Sequence, residues 1–146
     1  MVLPNGISSF LEAGSCLEIL NVKKFKNITY CLANENYGKI LSIDISLYGK
    51  NFYISEILTS NIHCYFLMNV CYPYTAFASS VEYGLIKFID KPIKFVYPYS
   101  EHNLLGKEAL SDDWRDAVEN LNCAELTQIK YWKPTSIGEI IFNFWD

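Results

Sequence analysis

The sequence IHCYFLMNVC, residues 62–71, decides the fold of this chain. It is an almost unbroken apolar run of strand length. Such a run is typical of a β-strand covered on both faces, since a half-exposed strand would alternate apolar with polar residues. We therefore expect residues 62–71 to lie centrally in a sheet, with packed layers on both sides.

Alternating apolar residues on either side of this run predict further strands. Turn-forming residues at 34–38 and 48–51 separate the strands before it, and the turn at 90–92 separates the two after it. The predicted strands are residues 28–32, 41–47, 52–58, 62–71, 81–89 and 93–97. Because short turns join antiparallel neighbours, we expect a mostly antiparallel sheet of about five to six strands.

Helical patterns are concentrated towards the C-terminus. Ser111 followed by acidic residues resembles an N-cap and first turn, so a helix is predicted over residues 112–121. Residues 126–132 alternate like a late strand that ends at Pro134. A final helix from Ile137 is predicted to turn Ile140 and Phe144 inward, and near the N-terminus Ser8-Ser9 could cap a short helix ending at Gly14. These elements predict an α+β fold.

Length and composition limit the classes of protein to which this chain can belong. A chain of 146 residues with 51% hydrophobic residues and no low-complexity segment predicts one domain, residues 1–146, around one core. The formal net charge of −4 and a single arginine, Arg115, argue against nucleic-acid binding and favour a basic partner. No signal-peptide pattern or membrane-spanning apolar run occurs, so we expect a cytoplasmic protein without a membrane partner.

Metal-ligating and nucleophilic residues give no convincing site. His63 and Cys64 are neighbours, but strand neighbours point to opposite faces, and no further His–Cys cluster supplies the ligands that zinc needs. His102 could approach a thiol, yet none of the five cysteines opens a predicted helix beside a basic group, which would lower the thiol pKa. We expect reduced cysteines, no bound metal, no cofactor, no catalytic residues and no enzymatic activity.

An acidic cluster is the best candidate for a partner-binding surface. Its residues are Asp112, Asp113, Asp116 and Glu119. Dense, exposed carboxylates can steer a basic partner into contact, although such charges more often only solvate a helix face and complement its dipole.

The end of the chain carries a resemblance. Residues 131–146 read YWKPTSIGEIIFNFWD, which resembles the ending YWKPxxxGEIIFNxWD of small bacterial immunity proteins encoded beside polymorphic or contact-dependent growth-inhibition toxins. The resemblance covers about these sixteen residues. The motif residues are themselves expected to be structural: Trp132, Phe142 and Trp145 as core anchors, and Gly138 as a point of close helix packing.

The resemblance implies a cytoplasmic antidote that binds the toxic C-terminal domain of a cognate protein, commonly a nuclease, and blocks its active site without catalysis. Two other interpretations stay open. One is a small intracellular enzyme or ligand-binding protein with a pocket between the sheet and the terminal helices. The other is a subunit of a homo-oligomer whose aromatic face is the interface. The oligomeric state is left undetermined.

Overall fold

The computed structural model describes residues 1–12, 22–96 and 103–145. Its sheet is a five-stranded antiparallel meander in the order β1-β2-β3-β4-β5. The strands are β1 (Lys39–Asp44), β2 (Phe52–Leu58), β3 (His63–Asn69), β4 (Thr75–Glu82) and β5 (Leu85–Ile89). The central strand β3 falls within the apolar run at residues 62–71, as predicted.

Strand β3 is covered on both faces. Cys64, Phe66 and Met68 point to one face and are fully buried, whereas Leu67 is fully buried on the other. The alternation explains why the run contains so few polar residues, because each face of the strand lies against a separate apolar layer.

Helix α1 (Val22–Glu35) covers the first face of the sheet. Phe25, Ile28 and Leu32 are buried against β2 and β3 at the three- and four-residue spacing of a helix. The predicted strand at residues 28–32 is therefore wrong. Tyr30, which the alternation placed with Ile28 and Leu32, lies on the exposed side of the helix.

The second face is covered by both ends of the chain. Leu3 and Ile7 of the N-terminal segment are buried there with helices α2 (Lys107–Ser111), α3 (Cys123–Trp132) and α4 (Ile137–Ile141). The start of α4 at Ile137 and the burial of Ile140 confirm the predicted final helix, although Phe144 lies beyond its end and is half-buried.

Two strand predictions need correction. The predicted strand at residues 81–89 is in fact a hairpin: β4 begins earlier, at Thr75, and a turn at Gly84 with φ +76° leads into β5. Glycine adopts this left-handed conformation at no steric cost, so the turn forms readily. Residues 93–96 form no strand; Ile93 and Phe95 instead bury their side chains against the α1 layer.

Three further predictions of secondary structure fail. The helix predicted over 112–121 is absent, since α2 already ends at Ser111 and only a 3-10 turn, Arg115–Ala117, follows. The late strand predicted at 126–132 is helix α3, which begins with a capping box between Asn122 and Glu125. Residues 10–12 after Ser8-Ser9 are not helical, and Gly14 lies outside the described residues.

The architecture is α+β, as the sequence predicts, with a helix near the N-terminus in addition to those near the C-terminus. Within residues 1–12, 22–96 and 103–145, no helix is both long and apolar enough to cross a membrane.

Candidate functional site

The acidic residues predicted from the sequence lie on one surface segment, residues 112–119, which we call the acidic loop. All four carboxylate side chains, those of Asp112, Asp113, Asp116 and Glu119, are exposed. They stand on an irregular segment with a 3-10 turn rather than on the regular helix that the sequence suggested.

Backbone and ring contacts anchor the acidic loop to the rest of the fold. The carbonyl of Asp112 accepts a hydrogen bond from Ile137 N at 2.9 Å, and that of Ala117 accepts one from Leu3 N at 2.8 Å. The indole Nε1 of Trp114 donates to the carbonyl of Pro134 at 2.7 Å. The loop is thus fixed to α4, to the N-terminal segment and to the α3–α4 connection.

Arg115 neutralises only one of the four carboxylates. Its backbone N–H donates to Asp113 Oδ1 at 2.8 Å and its guanidinium pairs with the same carboxylate. The backbone hydrogen bond, followed by the side-chain hydrogen bond and the charge of Arg115, lowers the pKa of Asp113. Asp112, Asp116 and Glu119 have no ion-pair partner among the described residues.

A cleft of about 750 Å³ lies between β5 and the C-terminal segment, at the place where a pocket was an open alternative. All residues from Tyr83 to Ile89 line it, together with parts of α2 and of residues 132–145. Successive residues of a strand point to opposite faces, so a cleft lined by every one of them runs along the backbone edge of β5.

The cleft combines aromatic rings with positive charge. Aromatic side chains contribute pairs such as Phe88–Phe142, with ring centroids 5.7 Å apart, and Tyr83–Phe144 at 5.4 Å. Three exposed lysines also line the cleft: Lys87, Lys107 and Lys133. Sequence reasoning left a pocket in this region open but named none of its lining residues, because it continued one strand through the Tyr83-Gly84 turn; the glycine was the available signal.

Charge in the cleft is unbalanced. Glu139, the one carboxylate among the described lining residues, accepts hydrogen bonds from the backbone N–H of Thr135 at 2.5 Å and from the Thr135 hydroxyl at 3.1 Å. None of the three lysine ammonium groups lies within 4.0 Å of a carboxylate of the described residues. The described lining includes no histidine or cysteine.

The C-terminal motif is mainly built into the fold. Phe142 is almost fully buried, as expected, but Trp132 and Trp145 are half-buried and line the cleft. A Cβ added at Gly138 would lie 2.7 Å from Phe88 Cε2 and 2.9 Å from the Leu110 carbonyl oxygen, which confirms the expected close packing.

Buried polar groups near this end join the two chain termini. Asn143 Nδ2 donates to the carbonyls of Ser8 at 3.1 Å and Ile140 at 3.0 Å. Asn69 Nδ2 donates to the carbonyls of Ile7 and Ile141, at 3.0 and 2.7 Å. No buried side-chain nitrogen or oxygen in the described part of the chain lacks a partner. These residues therefore serve the fold.

Glu125 is a fully buried carboxylate with the same kind of role. It accepts hydrogen bonds from Gly6 N at 2.6 Å, from Ser8 N at 2.9 Å and from the Ser8 hydroxyl at 2.5 Å. Asn122 Nδ2 donates to it at 3.1 Å. Every bond holds the N-terminal segment or the start of α3, so the carboxylate acts as an internal cap.

The thiols and the histidines do not form a catalytic group in the part of the chain that the structure describes. Cys64 is buried, and desolvation raises its pKa to about 11, so the thiol is protonated at neutral pH. Cys71 lies 3.4 Å from the Ser9 hydroxyl, and burial also raises its pKa. His63 contacts Glu56 on the surface at 2.7 Å, while His102 and Cys16 lie outside the described residues.

No group of three or more metal-ligating side chains occurs in the described ranges. The fold and the two surfaces define an α+β protein with an anchored acidic loop and a basic, aromatic cleft. Comparison with protein-family models, with curated proteins and with solved structures finds no match to this chain.

Proposed function

We propose that this chain is a bacterial immunity protein that binds a cognate toxin domain in the cytoplasm and covers its active site without catalysing a reaction. The proposal rests on the resemblance of residues 131–146 to the ending of such proteins. The toxin domain would be a nuclease, because enzymes that act on nucleic acid present basic surfaces to phosphate.

One structural observation carries the proposal: the acidic loop is exposed, anchored at three points and only partly neutralised. Asp112, Asp116 and Glu119 present carboxylates that form no ion pair within the described part of the chain, and the net charge of −4 extends the negative field. A fixed set of carboxylates loses little conformational freedom on binding and attracts a basic surface from a distance.

Growth rescue tests this function. The C-terminal domain of the protein encoded by the gene next to this one is expressed under a tight promoter, with and without this chain. We expect growth arrest by the toxin domain alone, restored growth on co-expression, and a stoichiometric complex after purification. A toxin domain that arrests growth equally in the presence of well-expressed chain would refute the proposal.

A ligand-binding protein is the second candidate, and the cleft beside β5 favours it. Its volume of about 750 Å³ and its aromatic lining are within the range of small-molecule sites. Native mass spectrometry of the purified chain would reveal a small molecule that co-purifies with it. A ligand lost on the substitution Phe144→Ala, but retained on Tyr37→Ala far from the cleft, would establish this alternative.

A further inference from the structure

Among the described residues, no strand pairs with the outer edge of β5. Its inner edge pairs with β4 from Glu82↔Leu85 to Phe77↔Ile89. No backbone hydrogen bond joins the other edge to any segment within residues 1–12, 22–96 or 103–145. An edge strand with unpaired N–H and C=O groups can accept another strand.

The surroundings of this edge differ from those of a strand that merely faces water. Tyr83, in the turn before β5, and Leu85, the first residue of β5, expose 73% and 54% of their surface, and the half-buried rings of Phe144 and Trp145 lie on the facing wall. Apolar side chains of an added strand would find partners on these walls, while its backbone paired with β5.

The charges of the cleft select the partner. Among the described lining residues, three lysines, Lys87, Lys107 and Lys133, stand against one carboxylate that is already hydrogen-bonded, so this lining carries a charge of about +2 in a chain whose net charge is −4. Lys87 alternates with Ile86 and Phe88 of the second-face layer, so its side chain extends from the other face of the same edge. A basic segment would be repelled, and an acidic one would gain ion pairs at the rim.

The backbone conformation of Lys133 supports a binding role for the rim of the cleft. It adopts a left-handed conformation, φ 50° and ψ 59°, at the C-terminal cap of α3, a position where glycine is usually found. This conformation costs a non-glycine residue free energy, and lysine there places an exposed ammonium group at the cleft.

We propose that the cleft binds an extended acidic segment of a partner protein, which adds as a strand along the outer edge of β5 and pairs its carboxylates with Lys87, Lys107 and Lys133. This inference is independent of the immunity function, which uses the acidic loop and a basic partner. The two surfaces give the chain two binding sites of opposite charge.

The test uses a defined probe, the pentapeptide acetyl-Glu-Val-Glu-Val-Glu-amide, equal in length to the five residues of β5. It is titrated to millimolar concentration into the full ¹⁵N-labelled chain. We expect shifts in the amide signals of β5 and of Lys133, and none with the Lys-Val-Lys-Val-Lys analogue. Absence of any shift at β5 with the acidic probe would overturn the proposal.

Two peptide controls isolate strand addition from charge alone. One carries N-methyl groups on its valine amides and the other on its glutamate amides. Because alternate amides of a strand point to the same side, one of the two should lose binding and the other should retain it. Equal binding by both, or equally strong binding of free glutamate, would indicate a site for small anions and overturn strand addition.

Two protein variants locate the site. Combined Lys87→Glu and Lys133→Glu should weaken binding of the acidic probe by about tenfold, since each exposed ion pair contributes modestly. Lys39→Glu, on the opposite edge strand β1, makes the same kind of charge change and should leave binding unchanged. A wild-type dimer in sedimentation that the cleft variants dissociate would assign the cleft to a second copy and overturn a separate acidic partner.

Discussion

Asn51 and Asn143 hold each other through two reciprocal hydrogen bonds. Asn143 N donates to Asn51 Oδ1 at 2.8 Å, and Asn51 N donates to the Asn143 carbonyl at 3.2 Å. Asn51 Nδ2 also reaches the carbonyls of Ile7 and Ile141, at 3.2 and 3.0 Å. One buried side chain before β2 therefore satisfies backbone groups from both ends of the chain.

We expect Asn51→Ala to lower the free energy of unfolding by about 1–3 kcal/mol, because the buried N–H of Asn143 loses its acceptor. The Ile7 and Ile141 carbonyls lose one donor each but keep the hydrogen bonds from Asn69 Nδ2. Urea unfolding measures the loss. Asn120→Ala, an exposed control, should change stability by less than about 0.5 kcal/mol. Equal stability of the two variants would show that water replaces the asparagine at no cost.

The substitution Glu125→Gln should destabilise the chain by about 1–3 kcal/mol. The carboxylate accepts hydrogen bonds from the backbone N–H groups of Gly6 and Ser8, whereas the NH₂ group of glutamine is itself a donor and would face one of them without forming a hydrogen bond. Hydrogen exchange of the Gly6 and Ser8 amides should accelerate most. Glu119→Gln removes an exposed carboxylate and serves as the matched control. Unchanged exchange at Gly6 would contradict the capping role.

The substitution Gly138→Ala should destabilise the chain by about 1–3 kcal/mol, even though alanine favours helices. The added Cβ meets the ring of Phe88 and the backbone of Leu110, and the backbone cannot move cheaply. At Gly106, the N-cap of α2, an added Cβ meets only the Asp90 Oδ1 at 3.0 Å, which also accepts a hydrogen bond from Lys107 N. A side-chain oxygen can shift by a few tenths of an ångström, so Gly106→Ala should cost about 1 kcal/mol and less than Gly138→Ala. A thermal melt of both variants compares the two costs.

The raised pKa of Cys64 predicts a loss of stability at high pH. The folded chain binds the thiol proton more tightly than the unfolded chain, so this stability is complete below the ordinary thiol pKa of 9.0 and disappears as the pH rises towards about 11. The loss should approach about 2–3 kcal/mol. Unfolding with reductant present between pH 8 and 11 measures it, and Cys64→Ala should show a weaker pH dependence than the wild type.

Charge reversal in the acidic loop tests its part in toxin binding. Combined Asp116→Lys and Glu119→Lys should slow association with the toxin domain and flatten its salt dependence, because rim charges act mainly on the association rate. Glu82→Lys at the end of β4 provides an exposed control. Surface-plasmon kinetics at two salt concentrations give the rates. If the double variant binds with wild-type kinetics, the acidic loop takes no part in toxin binding and its carboxylates only interact with solvent.

Local sequence patterns correctly predicted those elements in which the same face, or both faces, is buried along the whole element. The run at 62–71 became the central strand, and Ile137 and Ile140 became the buried side of the final helix, because the periodicity of apolar residues matched the element. The patterns failed at residues 28–32 and 126–132, where short apolar alternations also fit a helix. In the structure both segments are helical: Ile28 and Leu32 of the first are buried together with Phe25, which precedes the segment, and Ile129 of the second is buried.

The sequence by itself determined the α+β class, the central strand and the exposure of the four acidic residues, since these depend on local hydrophobicity and charge. Only the tertiary structure decided the cleft beside β5 and the polar network of Asn51, Asn69 and Asn143. Both join residues that are far apart in the chain, such as Lys87 with Lys133 and Ser8 with Asn143. Their chemistry arises from packing across the sheet, which no local pattern specifies.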